Sequence, residues 1–165
     1  MSSSIPNLQA LLIDELKDLY HAENQLIHAL PRMVKAATNR DLKSGFAAHL
    51  EQTHGHVERL AQALKILGVP VKGKTCHAMK GLIEEGAEAI ESKAPDAVRD
   101  AALIGAAQRV EHYEMAGYGT ARAFAQVLGQ RQIVELLQAT LDEETDTNKR
   151  LAELSNTVNS EAFAA

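Results

Sequence analysis

Residues 103–118 read LIGAAQRVEHYEMAGY, a stretch in which apolar and small residues return every three or four positions around two glutamates. At about 100° per residue, Leu103, Ala107, Val110, Tyr118, Ala121 and Leu128 share one stripe of a helix. Glu114 falls at the centre of that stripe and Glu111 on its flank. A carboxylate aimed into an apolar core is costly unless something binds it. The stretch therefore predicts both a long core-facing helix and a partner for its glutamates.

The same pattern recurs on both sides. A first helix, about Asn7 to Lys35, follows Pro6; Leu12, Leu16, Leu19, Leu26 and Leu30 form its stripe, with Glu23 at the centre and Tyr20 to one side. Pro31 is expected to kink or end its last turns. Asn39 caps a second helix that runs to Leu67 and stops at Gly68, with Pro70 beyond. Its apolar residues, Phe46 to Leu67, centre on Thr53, with His49 and His56 on one flank. After a loop over Val71 to Thr75 comes a short amphipathic helix, His77 to Glu91, which carries no evident chemistry and suits a cap or a dimer contact. Pro95 takes the first position of the helix that contains Glu114 and ends near Leu128, with Gly129 as the turn. A last helix spans Gln130 to about Asn156; Ile133, Leu137, Thr140, Leu151 and Ser155 centre on Glu144, flanked by Thr147 and Asn148. The tail from Ser160 is expected to fray. Four long helices joined as two hairpins, with one long crossover, predict an all-α, ferritin-like four-helix bundle. Residues 1–165 suit a single domain with its core over about 7–156.

Composition narrows the function. The formal charge is −5 with no long basic block, which argues against nucleic acid as a partner. No run approaches 18 apolar residues and Met1 to Asn7 lacks the features of a signal peptide, so the expectation is a cytoplasmic protein that neither spans nor binds a membrane. The single cysteine, Cys76, has no second thiol with which to form an intrachain disulfide or a redox pair.

Helical phase separates candidate ligands from decoys. Glu51-Gln-Thr-His54 has the Glu-x-x-His spacing of diiron bundles, yet Glu51 points almost opposite its stripe and is expected at the surface. Thr53-x-x-His56 has the right phase, with threonine where a carboxylate is expected. Depth agrees. Glu23 lies 16 residues before Asn39, Thr53 and His56 lie 14 and 17 after it, and Glu114 and Glu144 each lie 15 from Gly129. All sit roughly 22 Å along their helices from the turn, at 1.5 Å per residue, and are predicted to meet. The halves also look like an internal repeat, Tyr20-His-Ala-Glu23 against Glu111-His-Tyr-Glu114, which suits a site for two metals. Asp100 faces inward about 21 Å of helix from Glu114, so it is expected to hydrogen-bond at the bundle end. His21 and His112 point away from the core stripes, and His77 beside Cys76 gives too few ligands for a site.

The strings Asp14-Glu-Leu-Lys-Asp-Leu-Tyr20-His-Ala-Glu23, Leu82-Ile-Glu-Glu-Gly86, Arg99-Asp-Ala-Ala-Leu, Glu111-His-Tyr-Glu114 and Tyr118-Gly resemble the YciE/YciF family over about residues 7 to 155. The resemblance implies a ferritin-like bundle that tends to form a homodimer and is linked to bacterial stress responses, without a settled reaction. Ferritins and rubrerythrins use one Glu on each of the first and third helices and Glu-x-x-His on the second and fourth. Against that pattern one carboxylate and one histidine are missing here, at Thr53 and Thr147. Glu111 is a substitute for the carboxylate, and Asn148 or His49 could complete the shell. The expected metal ligands are Glu23, Glu114 and Glu144, joined by His56 and Glu111. These hard-to-borderline donors suit one or two ions of Fe or Mn. Tyr20, Tyr113 and Tyr118 are candidates for hydrogen bonds to the site. Two functions stay open: a metal-oxidising or peroxide-consuming stress protein, and a metal-free dimeric helical scaffold whose polar layer fixes register.

Overall fold

Residues 5–165 are described by a computed structural model, in which five helices account for all regular structure among the described residues. They are α1 (Leu8–Ala36), α2 (Arg40–Ile66), α3 (His77–Glu91), α4 (Asp96–Val127) and α5 (Arg131–Ala164). None of them is long and apolar enough to cross a membrane. Helices α1 and α2 pair as one hairpin and α4 and α5 as the other, while α3, on the crossover, packs against α1 and α4.

The predicted punctuation sets the boundaries. Asn7 Oδ1 accepts from the Ala10 amide, and Asn39 Oδ1 accepts from the Asp41 and Leu42 amides, so both asparagines satisfy first-turn donors. At the other end of α2, Gly68 takes φ 70°. The Val69 amide then reaches the Leu64 carbonyl and the Gly68 amide the Lys65 carbonyl. Gly129, at φ 69°, closes α4 in the same way, with Gln130 bonded to Ala125. This left-handed step is one that side-chain-bearing residues rarely take.

Helix α1 continues past Pro31 to Ala36, close to its expected end, with Pro31 exposed and the buried Leu30 and Met33 on either side packed on the core. One expectation fails. Helix α5 continues beyond Ser160 to Ala164, with Val158 fully buried against the cluster around Phe46 and Leu103, so packing carries the helix where composition suggested fraying. Pro95 stands at the N-cap, one residue outside α4.

Apolar side chains form separate clusters. One, around Leu12, Leu60, Leu64, Tyr118 and Leu137, fills the end nearer Gly68 and Gly129; another, around Leu42, Phe46, Leu103 and Leu151, fills the end nearer Asn39. A third lies beneath α3, where Cys76 and Met79 meet Leu26 and Leu30. Asp100 closes the Asn39 end as expected: its carboxylate accepts from the Thr38 amide (2.9 Å), the Thr38 hydroxyl (2.6 Å) and the Asn39 amide (2.7 Å).

His21 departs from its expected outward position. Its Nδ1 accepts from the Cys76 amide at 3.1 Å, and Gly73 comes so close that an added Cβ would lie 2.8 Å from His21 Cβ. The crossover loop is thereby fixed to α1 before α3 begins. His112 is exposed, as expected.

Candidate metal centre

Between the end clusters lies a layer of buried polar side chains: Glu23 from α1, His49, Thr53 and His56 from α2, Glu111 and Glu114 from α4, and Glu144 from α5. All five residues expected as ligands are here. Glu51 and His54 are exposed, so the Glu-x-x-His decoy is at the surface. Thr53 adds nothing to the centre, because its hydroxyl donates to its own helix at the His49 carbonyl, 2.9 Å away.

The donor atoms form two overlapping groups. His49, Glu111, Glu114 and Glu144 each offer an atom within 4.8 Å of the others; so do Glu23, His56 and Glu144. Glu144 belongs to both. Four carboxylates and two imidazoles therefore converge, although Thr53 and Thr147 stand where the ferritin pattern has a carboxylate and a histidine. Glu111 supplies the carboxylate missing at Thr53, and His49, reaching across from α2, supplies the imidazole missing at Thr147. The two are linked: Thr147 Oγ1 lies 3.4 Å from His49 Nδ1, leaving Nε2 turned toward the carboxylates. Asn148, the other suggested completion, carries a buried Oδ1 without a partner one turn beyond Glu144.

The test of fit is whether these atoms satisfy one another. They do not. Glu23 Oε2, Glu111 Oε2, both oxygens of Glu114, both oxygens of Glu144, His49 Nε2 and His56 Nδ1 are buried without a hydrogen-bond partner. His56 Nδ1 is 3.0 Å from Glu144 Oε1 and 3.3 Å from Glu23 Oε1, but neither approach has hydrogen-bonding geometry. Nearly all buried polar groups in folded proteins find partners, so a convergent set of orphans calls for a partner such as water or an ion. Carboxylate oxygen and imidazole nitrogen are donors suited to Fe or Mn.

Electrostatics follow from this crowding. Burial, then the neighbouring Glu144, pushes Glu111 well above the usual carboxylate range, and burial with Glu144, Glu23 and Glu111 does the same to Glu114. Burial alone would lower the His56 imidazole, but Glu144 and Glu23 beside it lift it to about 10. Burial would likewise raise Glu144, yet His56 and His49 hold it below its ordinary value.

A supporting shell surrounds one side. His56 Nε2 meets Glu143 Oε2 at 2.9 Å, and Arg59 clamps Glu143 with two bonds of 2.9 and 2.8 Å while also donating to Thr140. Tyr118 donates to Glu23 Oε1. Of the three tyrosines considered, only Tyr118 touches the centre; Tyr113 donates to Asp18 at 2.5 Å and lies 2.9 Å from Cys76 Sγ, and Tyr20 packs on the apolar cluster around Leu12. Glu143 and Arg59 had escaped the phase reading, although a buried His56 demands a partner for its second nitrogen and Arg59 lies one turn away on the same helix.

Comparison with known proteins agrees with this architecture. Residues 7–164 match a family described as a domain of unknown function, DUF892. Protein YciF of Escherichia coli K12 is 45% identical over 161 residues, covering 96% of this chain and 97% of that protein. The crystal structure of the E. coli stress protein YciF is similar with a TM-score of 0.90 at 44% identity, covering 94% and 98% of the two chains. YcfI from Rhodopseudomonas palustris gives 0.88 at 46% identity, covering 92% of this chain and 97% of that one. A ferritin-like, diiron-carboxylate protein from Bacillus anthracis shares the fold, with a TM-score of 0.69 at 18% identity over 90% of this chain and 98% of its own.

Proposed function

The chain belongs to the YciF family, whose fold is ferritin-like, and from that premise we propose that it is a stress-associated protein binding two Fe or Mn ions in its central layer. Glu23 and His56 would hold one ion, His49, Glu111 and Glu114 the other, and Glu144 both. The observation that carries this reading is the set of buried, mutually facing carboxylate oxygens and imidazole nitrogens left without partners. When bound, such ions supply redox chemistry suited to their own oxidation or to the consumption of peroxide. The protein's part is to hold the donors. Arg59 and Glu143 fix the His56 ring so that Nδ1 faces inward, and Tyr118 fixes Glu23.

A metal-free polar layer is the second reading. It is favoured by the proximity of His56 to Glu144 and Glu23, which sets an imidazole against carboxylates, while burial and neighbouring carboxylates favour the neutral forms of Glu111 and Glu114. One experiment separates the two. Protein purified without chelator is assayed for Fe and Mn by elemental analysis, and wild type and Glu114→Ala are titrated with Fe(II). Two equivalents in the wild type and a loss in the variant support the metal centre; absence of saturable uptake in the wild type leaves the polar layer.

A further inference from the structure

Beside the polar layer, walled by residues of α1 to α5, is a cavity of about 450 Å³. Cores packed to native density leave few voids larger than a water molecule, whereas small-molecule sites run to several hundred Å³. Its walls are apolar, with Leu26, Leu30, Phe46, Ile83, Val110 and Leu151 among them. Exposed Arg32, Asp41 and Arg150 also line it and mark where it reaches the surface. At its buried end are His49 and Glu111, whose Nε2 and Oε2 have no partner.

These features constrain an occupant. A wholly apolar molecule would fill the walls and leave His49 and Glu111 unpaired, at the cost that buried unsatisfied groups carry. A carboxylate head would lose its water at the buried end and bring a second negative charge near Glu144, whose Oε2 lies 3.7 Å from His49 Nε2. A hydroxyl or hydroperoxide head is neutral and can both donate to Glu111 and accept from His49.

We propose that the cavity binds the alkyl chain of a straight-chain amphiphile with a neutral oxygen head, an alcohol or alkyl hydroperoxide, seated head-first against His49 and Glu111. In the metal-free chain the head meets His49 and Glu111 directly; in the loaded protein those residues would hold an ion and the head would face it, a contact that rests on the metal reading, whereas the binding of the chain rests on the cavity alone.

The experiment uses the full, metal-free chain and 1-alkanols from butanol to decanol, followed by titration calorimetry. Affinity should rise about fourfold per added methylene until the cavity is filled. Octanoate should bind more weakly than octanol. Ala107→Leu, which intrudes on the lining, should lower octanol affinity on the order of tenfold, and Phe163→Ser, at a fully exposed position, should leave it unchanged. Melting curves establish that each variant is folded, and the chain-length series in wild type depends on no variant. No saturable binding, no dependence on length, or octanoate equal to octanol overturns the proposal. With Co(II) as a spectroscopic probe, octanol should then shift the visible bands of the loaded protein. Alkanol binding without Co(II) uptake would sink the metal reading and leave the cavity standing; Co(II) uptake with bands indifferent to bound octanol would overturn the head-first placement.

Discussion

Glu23 and His56 are braced from outside the polar layer, whereas His49 and Glu111, across from them, border a cavity. Tyr118 holds Glu23, and the Arg59–Glu143 pair holds His56. On the other side the outer nitrogen of His49 has the long 3.4 Å approach of Thr147, its Nε2 lies 3.3 Å from Glu111 Oε1 and 3.7 Å from Glu144 Oε2 within the layer itself, and Glu111 Oε2 has no partner. The two halves share Glu144 and nearly the same chemistry, yet one is hydrogen-bonded from outside the layer and the other faces space in which a molecule can lie. Support and access are thus divided between the two positions, a division that substitutions can test.

The largest effect is expected at the shared ligand. Glu144→Ala should abolish both ions, taking Fe(II) stoichiometry from two toward zero; retention of a full complement would show that the two groups do not depend on it. His56→Ala should remove only the braced position and leave one equivalent, as measured by elemental analysis after gel filtration. Next come the braces: Glu143→Gln is expected to weaken metal affinity about 10–100-fold, the range for lost partners of ligating histidines. Thr147→Val should cost far less, because its contact with His49 is long; equal effects would erase the difference between the sides. Metal affinity should also climb as pH rises. Glu111 and Glu114, raised by burial and neighbouring carboxylates, and His56, lifted to about 10, shed protons on binding, so competition titrations at several pH values should show tighter uptake at higher pH. Asp100→Ala serves as a control remote from both positions. Losing three hydrogen bonds to a buried carboxylate should cost about 2–3 kcal/mol in a denaturant melt while leaving stoichiometry unchanged.

Most of the fold was legible because its signals are local. Asn39, Gly68, Pro95 and Gly129 end or begin helices for reasons contained in a few residues, and the stripes around Glu23, Glu114 and Glu144 need only the pitch of a helix. Glu111 was found as a flank residue one turn from Glu114. His49 was harder: it lies on the flank of its stripe, and whether a flank side chain reaches the centre depends on how α2 is rotated against α5, which no single helix encodes. Glu143 and Arg59 have the same origin, since their pairing is decided between helices. The failure beyond Ser160 has a related cause, for there tertiary burial outweighed a local preference.

The long crossover between the hairpins carries a consequence for assembly. Glu23, His49 and His56 belong to the first hairpin, and Glu111, Glu114 and Glu144 to the second. Neither half alone can gather the set, so a metal centre of the proposed kind would exist only once the two halves dock. An ion retained there would act as a clasp, favouring the docked chain over any state with the hairpins apart by mass action. The docking that brings acidic side chains together out of water would then be the folding event most sensitive to metal supply.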